Sequence, residues 1–357
     1  MGKQRIEYID AMRGFTMILV VYSHICNYCL GDKWMGWNDV FFLFRLPCFF
    51  FISGWLFDSM RRPVAETVIH KFQVQIVPTV IFLLLLAPPP LFFSRLGATK
   101  GGYWFTFALF EFFLLSIFAD RCLKRWNGAF ALVLSFTAFC YDIYYNRFFK
   151  DMGLLTDALG FLSFMTWRYY LFFYIGTWVR RHFDGFLRWT GKPLVVILVF
   201  VGFAVVSMLP HTDDAWREYL IFAIGGILGM TMIFTLFRYL IPEQSSPIPA
   251  DAPTRSLSRS LSPLIPHSSF LIPLKYIGTR TLDIYLLHYF FLPRFLLPYG
   301  EQLRSWHCRP IEFAAALTLA LMVVVACLAA SYVLRLSPFL ARWLFGVRKP
   351  GGASSSP

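Results

Sequence analysis

Residues 13–26 read RGFTMILVVYSHIC, an apolar run with an arginine at its start and a histidine near its end. The apolar stretch extends over residues 12–30, and a helix needs roughly 20 such residues to cross a bilayer. It is longer than the apolar part of a signal peptide and no small-residue cleavage site follows it. We therefore expect a retained membrane-spanning helix.

Comparable apolar runs recur along all 357 residues. The chain is 57% hydrophobic and 15% charged, whereas a soluble domain carries roughly 25% charged residues. This composition excludes a soluble enzyme, a disordered protein and a disulfide-stapled secreted domain. The predicted fold class is all-α, a polytopic transmembrane helix bundle of about ten spans. The candidate spans are residues 12–30, 39–58, 75–94, 102–119, 128–145, 158–179, 193–209, 219–240, 274–298 and 311–335.

The lysines and arginines in the loops predict the orientation. About 20 fall on the side that holds both termini and about 8 on the other side, and cytoplasmic loops are the ones enriched in these residues. We expect a multi-pass protein of the bacterial inner (cytoplasmic) membrane with both termini in the cytoplasm. The net charge of +13 is then a topology signal, and no nucleic-acid partner is predicted.

One segment has a different composition. Residues 243–272 are rich in Pro, Ser, Ala and Arg, and they lack the apolar residues that a packed core requires. We expect a disordered cytoplasmic linker there, either a plain spacer or a docking segment. It would divide the membrane domain into residues 1–242, with eight spans, and residues 273–340, with two, followed by a cytoplasmic tail at 341–357.

Two ionisable residues share one face of the first span. Arg13 and His24 are eleven residues apart, which is three helical turns plus about 20°. Alone, Arg13 could be an anchor that reaches the membrane surface, and His24 could be a buried histidine bonded to a neighbouring helix. Their common face favours a functional site, because ionisable residues inside spans are costly.

Three further polar side chains lie inside predicted spans. Arg45 is in the second span, in FFLFRLPCFFFISG, and Glu111 is near the centre of the fourth span, in WFTFALFEFFLL. His288 is in the middle of the ninth span, in IGTRTLDIYLLHYFF. Each could form a structural pair within the bundle or contribute to a substrate site. The seven histidines lack metal-ligand spacing, and no metal site is predicted.

Five segments together resemble the integral-membrane acyltransferase family 3, particularly its fucose 4-O-acetylase-like branch. They are RIEYIDAMRGFTMILVVYSH, FRLPCFFFISGWLF, YWFTFALFEFFLL, YYLFFYIGTWV and IGTRTLDIYLLHYF. The resemblance implies a ten-helix core that takes an acyl group, usually acetyl, from cytosolic acyl-CoA. It also implies transfer to a hydroxyl of a glycan at the extracytoplasmic side, with His24 as the catalytic residue and Arg13 as its partner.

The chain departs from the family pattern before the third span. Many relatives carry several basic residues there, whereas HKFQVQIVPT offers only Lys71 beside His70. We expect Lys71 to bind the phosphates of the acyl donor, acetyl-CoA or another acyl-CoA, and Arg61, Arg62 or loop arginines are the alternative contacts. The other expected partners are a glycan or lipid-linked sugar acceptor, membrane lipid and a separate extracytoplasmic protein.

The sequence therefore predicts a membrane O-acyltransferase. His24 could remove the proton of the acceptor hydroxyl as a general base, or it could accept the acyl group itself. Arg45, Glu111 and His288 are candidate acceptor-binding residues. The alternatives are a secondary transporter with a buried Arg/Glu/His site, which usually shows inverted repeats, and a non-catalytic scaffold with the same fold.

Overall fold

The computed structural model of the protein describes residues 6–58, 63–86, 100–149, 152–241 and 271–347. Within these ranges the chain is helical and forms no β-strand, which confirms the predicted all-α membrane bundle. Residues 243–270 of the predicted linker and residues 348–357 of the predicted tail lie outside the described residues. The domain division at the linker stays a prediction.

The helices form two compact units. One unit comprises Met1–Ile52 and Trp178–Leu328, and the other comprises Ser53–Thr177 and Ala329–Pro357. The α-helices, in chain order, are α1 Glu7–His24, α2 Asn38–Leu56, α3 Val64–Lys71, α4 Val77–Leu86, α5 Trp104–Phe118, α6 Asn127–Tyr144, α7 Leu154–Phe161, α8 Tyr170–Arg181, α9 Phe183–Thr190, α10 Pro193–Ser207, α11 Ala215–Leu240, α12 Leu271–Thr279, α13 Thr281–Phe291, α14 Leu297–Arg304, α15 Arg309–Arg335 and α16 Pro338–Phe345.

Five helical stretches are long and apolar enough to cross a bilayer. They are Glu7–Cys29, Asn38–Leu56, Val64–Leu86, Ala215–Leu240 and Arg309–Arg335. A sixth span results if α9 and α10, which meet at an angle of 79°, together form one broken span. Ten spans were predicted from the sequence, which is more than the five or six found within the described residues. The number ten therefore stays a prediction.

Two predicted spans are interrupted, which explains part of the difference. The span predicted at 158–179 is divided between α7 and α8, and Ser163 between them has a φ angle of 49°. The span predicted at 274–298 is divided at Arg280, whose φ and ψ angles of −112° and 16° separate α12 from α13. A residue outside the helical region ends the hydrogen-bond ladder, so the apolar run does not form one straight helix.

Helix α1 is buried along most of its length within the first unit. It packs directly on α12, backbone against backbone. An ideal Cβ atom added to Gly14 would lie 2.0 Å from the carbonyl oxygen of Leu274, and one added to Gly278 would lie 1.7 Å from that of Asp10. Only glycine permits this approach. The polar side chains of Asp10, Thr16 and Ser23 on α1 are buried in this packing.

Two predicted site residues stand immediately before a π-helical turn. Helix α1 ends at His24, and Ile25–Cys29 continue as a π-helix. In the second unit, α3 ends at Lys71 and Phe72–Ile76 continue in the same way. A π-helical turn carries wider hydrogen-bonded rings than an α-helix and is frequent at functional sites. It changes the direction of the side chains that follow.

Candidate active site

The first unit brings His24 and His288 into direct contact. The Nδ1 atom of His24 on α1 lies 2.8 Å from the Nε2 atom of His288 on α13. The other ring nitrogen of His288 faces two carbonyl oxygens of its own helix, at 2.7 Å from that of Tyr285 and 3.2 Å from that of Ile284. His288 is fully buried, with 0% of its surface exposed. The ring of His288 is thus fixed by α13 and presents Nε2 to His24.

Aromatic rings enclose this histidine pair. Tyr289 lies with its ring centroid 4.1 Å from that of His288 and 5.2 Å from that of His24. Tyr28, in the π-helical turn, packs edge-on against His24 at 5.5 Å. Tyr289 is buried, whereas 41% of the surface of Tyr28 is exposed. His24 is itself half-buried, so the pair has a closed side at His288 and an accessible side near Tyr28.

Arg13 makes the second polar contact between α1 and α13. Its Nη2 atom donates a hydrogen bond to Oγ1 of Thr281 at 2.8 Å, and its Nη1 atom lies 3.7 Å from Asp10. Thr281 and His288 are seven residues apart, which is about two helical turns, so they share one face of α13. The predicted common face of Arg13 and His24 is confirmed, and it is the face that meets α13.

Arg45 belongs to the same unit and is linked through hydrogen bonds to the residue that precedes His24. It is buried on α2, and its Nη1 atom donates to Oδ1 of Asn38 at 2.7 Å. Asn38 in turn donates to the backbone carbonyl of Lys33 and to Oγ of Ser23, the residue that precedes His24. These hydrogen bonds connect the buried cation of Arg45 to the residue that precedes His24.

The two remaining predicted site residues belong to the second unit. Glu111 on α5 accepts a hydrogen bond at 2.7 Å from the indole nitrogen of Trp167. The Nζ atom of Lys71 lies 3.9 Å from the ring centroid of Phe113 and 5.7 Å from that of Phe57. The helix that carries Lys71 begins at Val64, so this lysine lies within an apolar stretch rather than before one.

Comparison with known families identifies the chain. A family model described as an acyltransferase domain, that of acyltransferase family 3, matches residues 6–336. The chain belongs to this acyltransferase family. No curated protein and no solved structure matches it. Together with the apolar helices, the family makes this chain an integral-membrane acyltransferase.

Three residues of the acyltransferase that contact the site were not predicted from its sequence. Thr281 holds Arg13, Asn38 holds Arg45, and Tyr289 packs on both histidines. The sequence spacing could have indicated Thr281. It lies seven residues before His288, so both residues share one face of α13, and that face would meet α1 if the two helices ran parallel. Asn38 and Tyr289 carry no such signal, since an asparagine and a tyrosine at the ends of apolar helices are ordinary.

Proposed function

We propose that the acyltransferase moves an acetyl group from cytosolic acetyl-CoA to a hydroxyl group of a cell-surface or exported glycan, or of its lipid-linked precursor. The observation that carries the proposal is the half-buried His24, held by His288 on one side and accessible on the other. An imidazole held in this way is suited to proton transfer with a hydroxyl, because one ring nitrogen is occupied by His288 and the other can take up the proton.

The transfer forms one ester bond and breaks one thioester bond. His24 removes the proton of the acceptor hydroxyl, whose oxygen then attacks the acetyl carbon, and the thiol of CoA leaves with a proton. In the second form of the same reaction, the acetyl group passes first to His24 and then to the acceptor oxygen. Both forms require an unprotonated nitrogen on His24, and both place negative charge on the carbonyl oxygen of the acetyl group.

The surroundings of His24 are suited to this charge. Arg45 is a buried cation linked through hydrogen bonds to the residue that precedes His24, and fixed charges in a site with little water stabilise a developing oxyanion strongly. We propose that Arg45 has this role or contacts the acceptor, and that His288 acts through His24. Glu111 is proposed as a further acceptor-binding residue.

The donor is proposed to enter from the cytoplasm. Acetyl-CoA is a polyanion, and the loops on the predicted cytoplasmic side are the basic ones. Lys71 is the proposed contact for its phosphates. Arg13 carries a positive charge nearer the start of α1 and already contacts Thr281, so its proposed role is to hold α1 against α13. The resemblance to fucose 4-O-acetylases supports a sugar as the acceptor.

The experiment uses inverted inner-membrane vesicles that contain the chain, supplied with acetyl-CoA labelled either in the acetyl group or in the adenine. We expect alkali-labile acetyl label in glycan or lipid-linked sugar and no adenine label there. Vesicles without the chain should show no acetyl label in the sugar. If neither label reaches a sugar in vesicles that contain the inserted protein, the proposal is wrong. Entry of both labels together would instead identify a transporter.

A further inference from the structure

We infer that His288 is a positioning residue that sets the tautomer of His24, so that His24 carries its proton on Nδ1 and its free lone pair on Nε2. The inference rests on the proposed function in one respect, since the lone pair is the one used in acetyl transfer. The assignment of the protons follows from hydrogen-bond chemistry alone.

The first step concerns Nδ1 of His288. This atom faces the carbonyl oxygens of Tyr285 and Ile284, at 2.7 Å and 3.2 Å. A carbonyl oxygen can only accept a hydrogen bond. The Nδ1 atom of His288 must therefore carry a proton and donate it to the backbone of α13.

The second step concerns Nε2 of the same ring. A neutral imidazole has one N–H group, which the backbone of α13 already uses, so Nε2 of His288 is an acceptor. The ring is 0% exposed, and apart from His24 its hydrogen-bond partners among the described residues are carbonyl oxygens, whereas a buried imidazolium requires an opposing negative charge. His288 thus accepts a hydrogen bond at Nε2.

The third step transfers this constraint to His24. The Nδ1 atom of His24 lies 2.8 Å from that acceptor, so it is the donor and carries the proton of a neutral His24. The remaining nitrogen, Nε2, holds the lone pair. No hydrogen bond to this atom is formed by the described part of the chain, and His24 is half-buried beside the exposed Tyr28. The lone pair is therefore left for a substrate.

The arrangement differs from a histidine oriented by a carboxylate. A carboxylate both fixes the tautomer and stabilises the imidazolium that forms when the base takes up a proton. A neutral His288 fixes the tautomer and the ring orientation of His24, and it supplies no negative charge that would stabilise an imidazolium. The accepting Nε2 of His288 therefore matches a neutral His24, whose lone pair on Nε2 either version of the transfer needs.

The direct test is nitrogen NMR of the full chain, labelled with ¹⁵N-histidine and reconstituted in lipid bilayers. His24 signals are assigned by their loss in His24→Gln. The control is His182→Gln, which removes an exposed histidine whose ring is hydrogen-bonded to the backbone carbonyl of Trp178. This substitution should leave the His24 signals unchanged. We expect a protonated Nδ1 and an unprotonated Nε2 on His24, and the same pattern on His288. A proton on Nε2 of His24 in the unsubstituted protein would overturn the inference.

Two variants test whether His288 causes the pattern. Gln can accept a hydrogen bond at nearly the same place, so His288→Gln should preserve the His24 pattern, whereas His288→Leu should mix the two tautomers. In acetyl transfer we expect His288→Leu to lower kcat about 10–100-fold with little change in KM for acetyl-CoA. The His288→Gln protein should retain most of the kcat of the unsubstituted protein. An unchanged His24 spectrum in a folded His288→Leu protein would contradict the inference.

The two readouts separate the inference from the proposed function. If the NMR pattern is found but no acetyl transfer occurs, the tautomer assignment is supported and the proposed function is wrong. If transfer depends on His24 but its proton is on Nε2, the proposed function is supported and the role of His288 is wrong.

Discussion

The Nδ1 atom of His24 lies 2.8 Å from the Nε2 atom of His288, and this contact joins α1 to α13 inside the first unit. The same two helices are joined a second time by the hydrogen bond from Arg13 to Thr281. Two polar contacts on one interface fix how far each helix can slide or turn relative to the other. The orientation of His24 is thus determined by a helix more than 250 residues later in the chain.

Replacement of Arg45 tests the electrostatic part of the account. Arg45→Gln keeps an amide that can donate to Asn38 but removes the positive charge. Loss of one oxyanion-stabilising group typically lowers kcat by roughly 10²–10³-fold, and we expect a decrease of this order in acetyl transfer. The matched control is Arg309→Gln, which removes an exposed arginine paired with Asp39. A folded Arg45→Gln protein with kcat near that of the control would contradict this role.

The close packing of α1 on α12 can be tested with alanine. Gly278→Ala would place a methyl group 1.7 Å from the carbonyl oxygen of Asp10, so the helices must separate. Overpacking of this kind costs about 1–3 kcal/mol, and we expect a lower thermal unfolding midpoint in detergent. Gly185→Ala in α9 is the control, since the added methyl group has no heavy atom within 4 Å apart from the adjacent residues and backbone of its own helix. Helix propensity predicts that the control is neutral or stabilising.

The hydrogen bond between Trp167 and Glu111 should contribute to the stability of the second unit. Trp167→Phe removes the indole donor, which lies 2.7 Å from the carboxyl oxygen of Glu111, at a cost of about 0.5–1.5 kcal/mol. Glu111→Gln retains an oxygen that accepts the bond and should unfold at nearly the same temperature as the unsubstituted protein. Equal unfolding temperatures for Trp167→Phe and Glu111→Gln would show that the bond contributes nothing.

Reporter fusions test the membrane orientation. Gly300 packs on the carbonyl oxygen of Leu30, and Arg304 donates a hydrogen bond to the same oxygen. The loop after α1 and helix α14 therefore lie on one side of the membrane. We expect fusions at Lys33 and Gln302 to report the outside and a C-terminal fusion to report the cytoplasm. Opposite results at Lys33 and Gln302 would contradict the packing, and an external C-terminus would contradict the loop-charge argument.

Periodicity predicted what lies within one helix and failed at contacts between helices. The spacing of Arg13 and His24 gave their common face, because the geometry of a single helix depends on sequence separation alone. The partners Thr281 and His288 follow from packing that brings distant segments together, so no local pattern contains them. The sequence indicated a catalytic role for His24 and an acceptor-binding role for His288, and the hydrogen bond between them followed from neither pattern.

Helix breaks are the other feature that the length of an apolar run does not indicate. An apolar run of sufficient length predicts a span, but the run around Ser163 contains a left-handed residue, and the run around Arg280 contains a non-helical one. Neither residue type is a strong helix breaker, so the interruption comes from packing and not from propensity. The class of fold was predictable from composition, since it depends on the total apolar content.

The central claim is that His24 performs acetyl transfer, and its most direct test is a rate measurement. Purified protein in proteoliposomes is given labelled acetyl-CoA and acceptor glycan, and His24→Ala is compared with the unsubstituted chain at equal abundance. His182→Ala is the control for an exposed histidine, and His288→Asn keeps a polar partner for His24. We predict a loss of at least 10²–10⁴-fold for His24→Ala, full activity for His182→Ala and intermediate activity for His288→Asn. Near-normal turnover by His24→Ala together with an inactive His288→Asn would contradict the claim and assign the chemistry to α13.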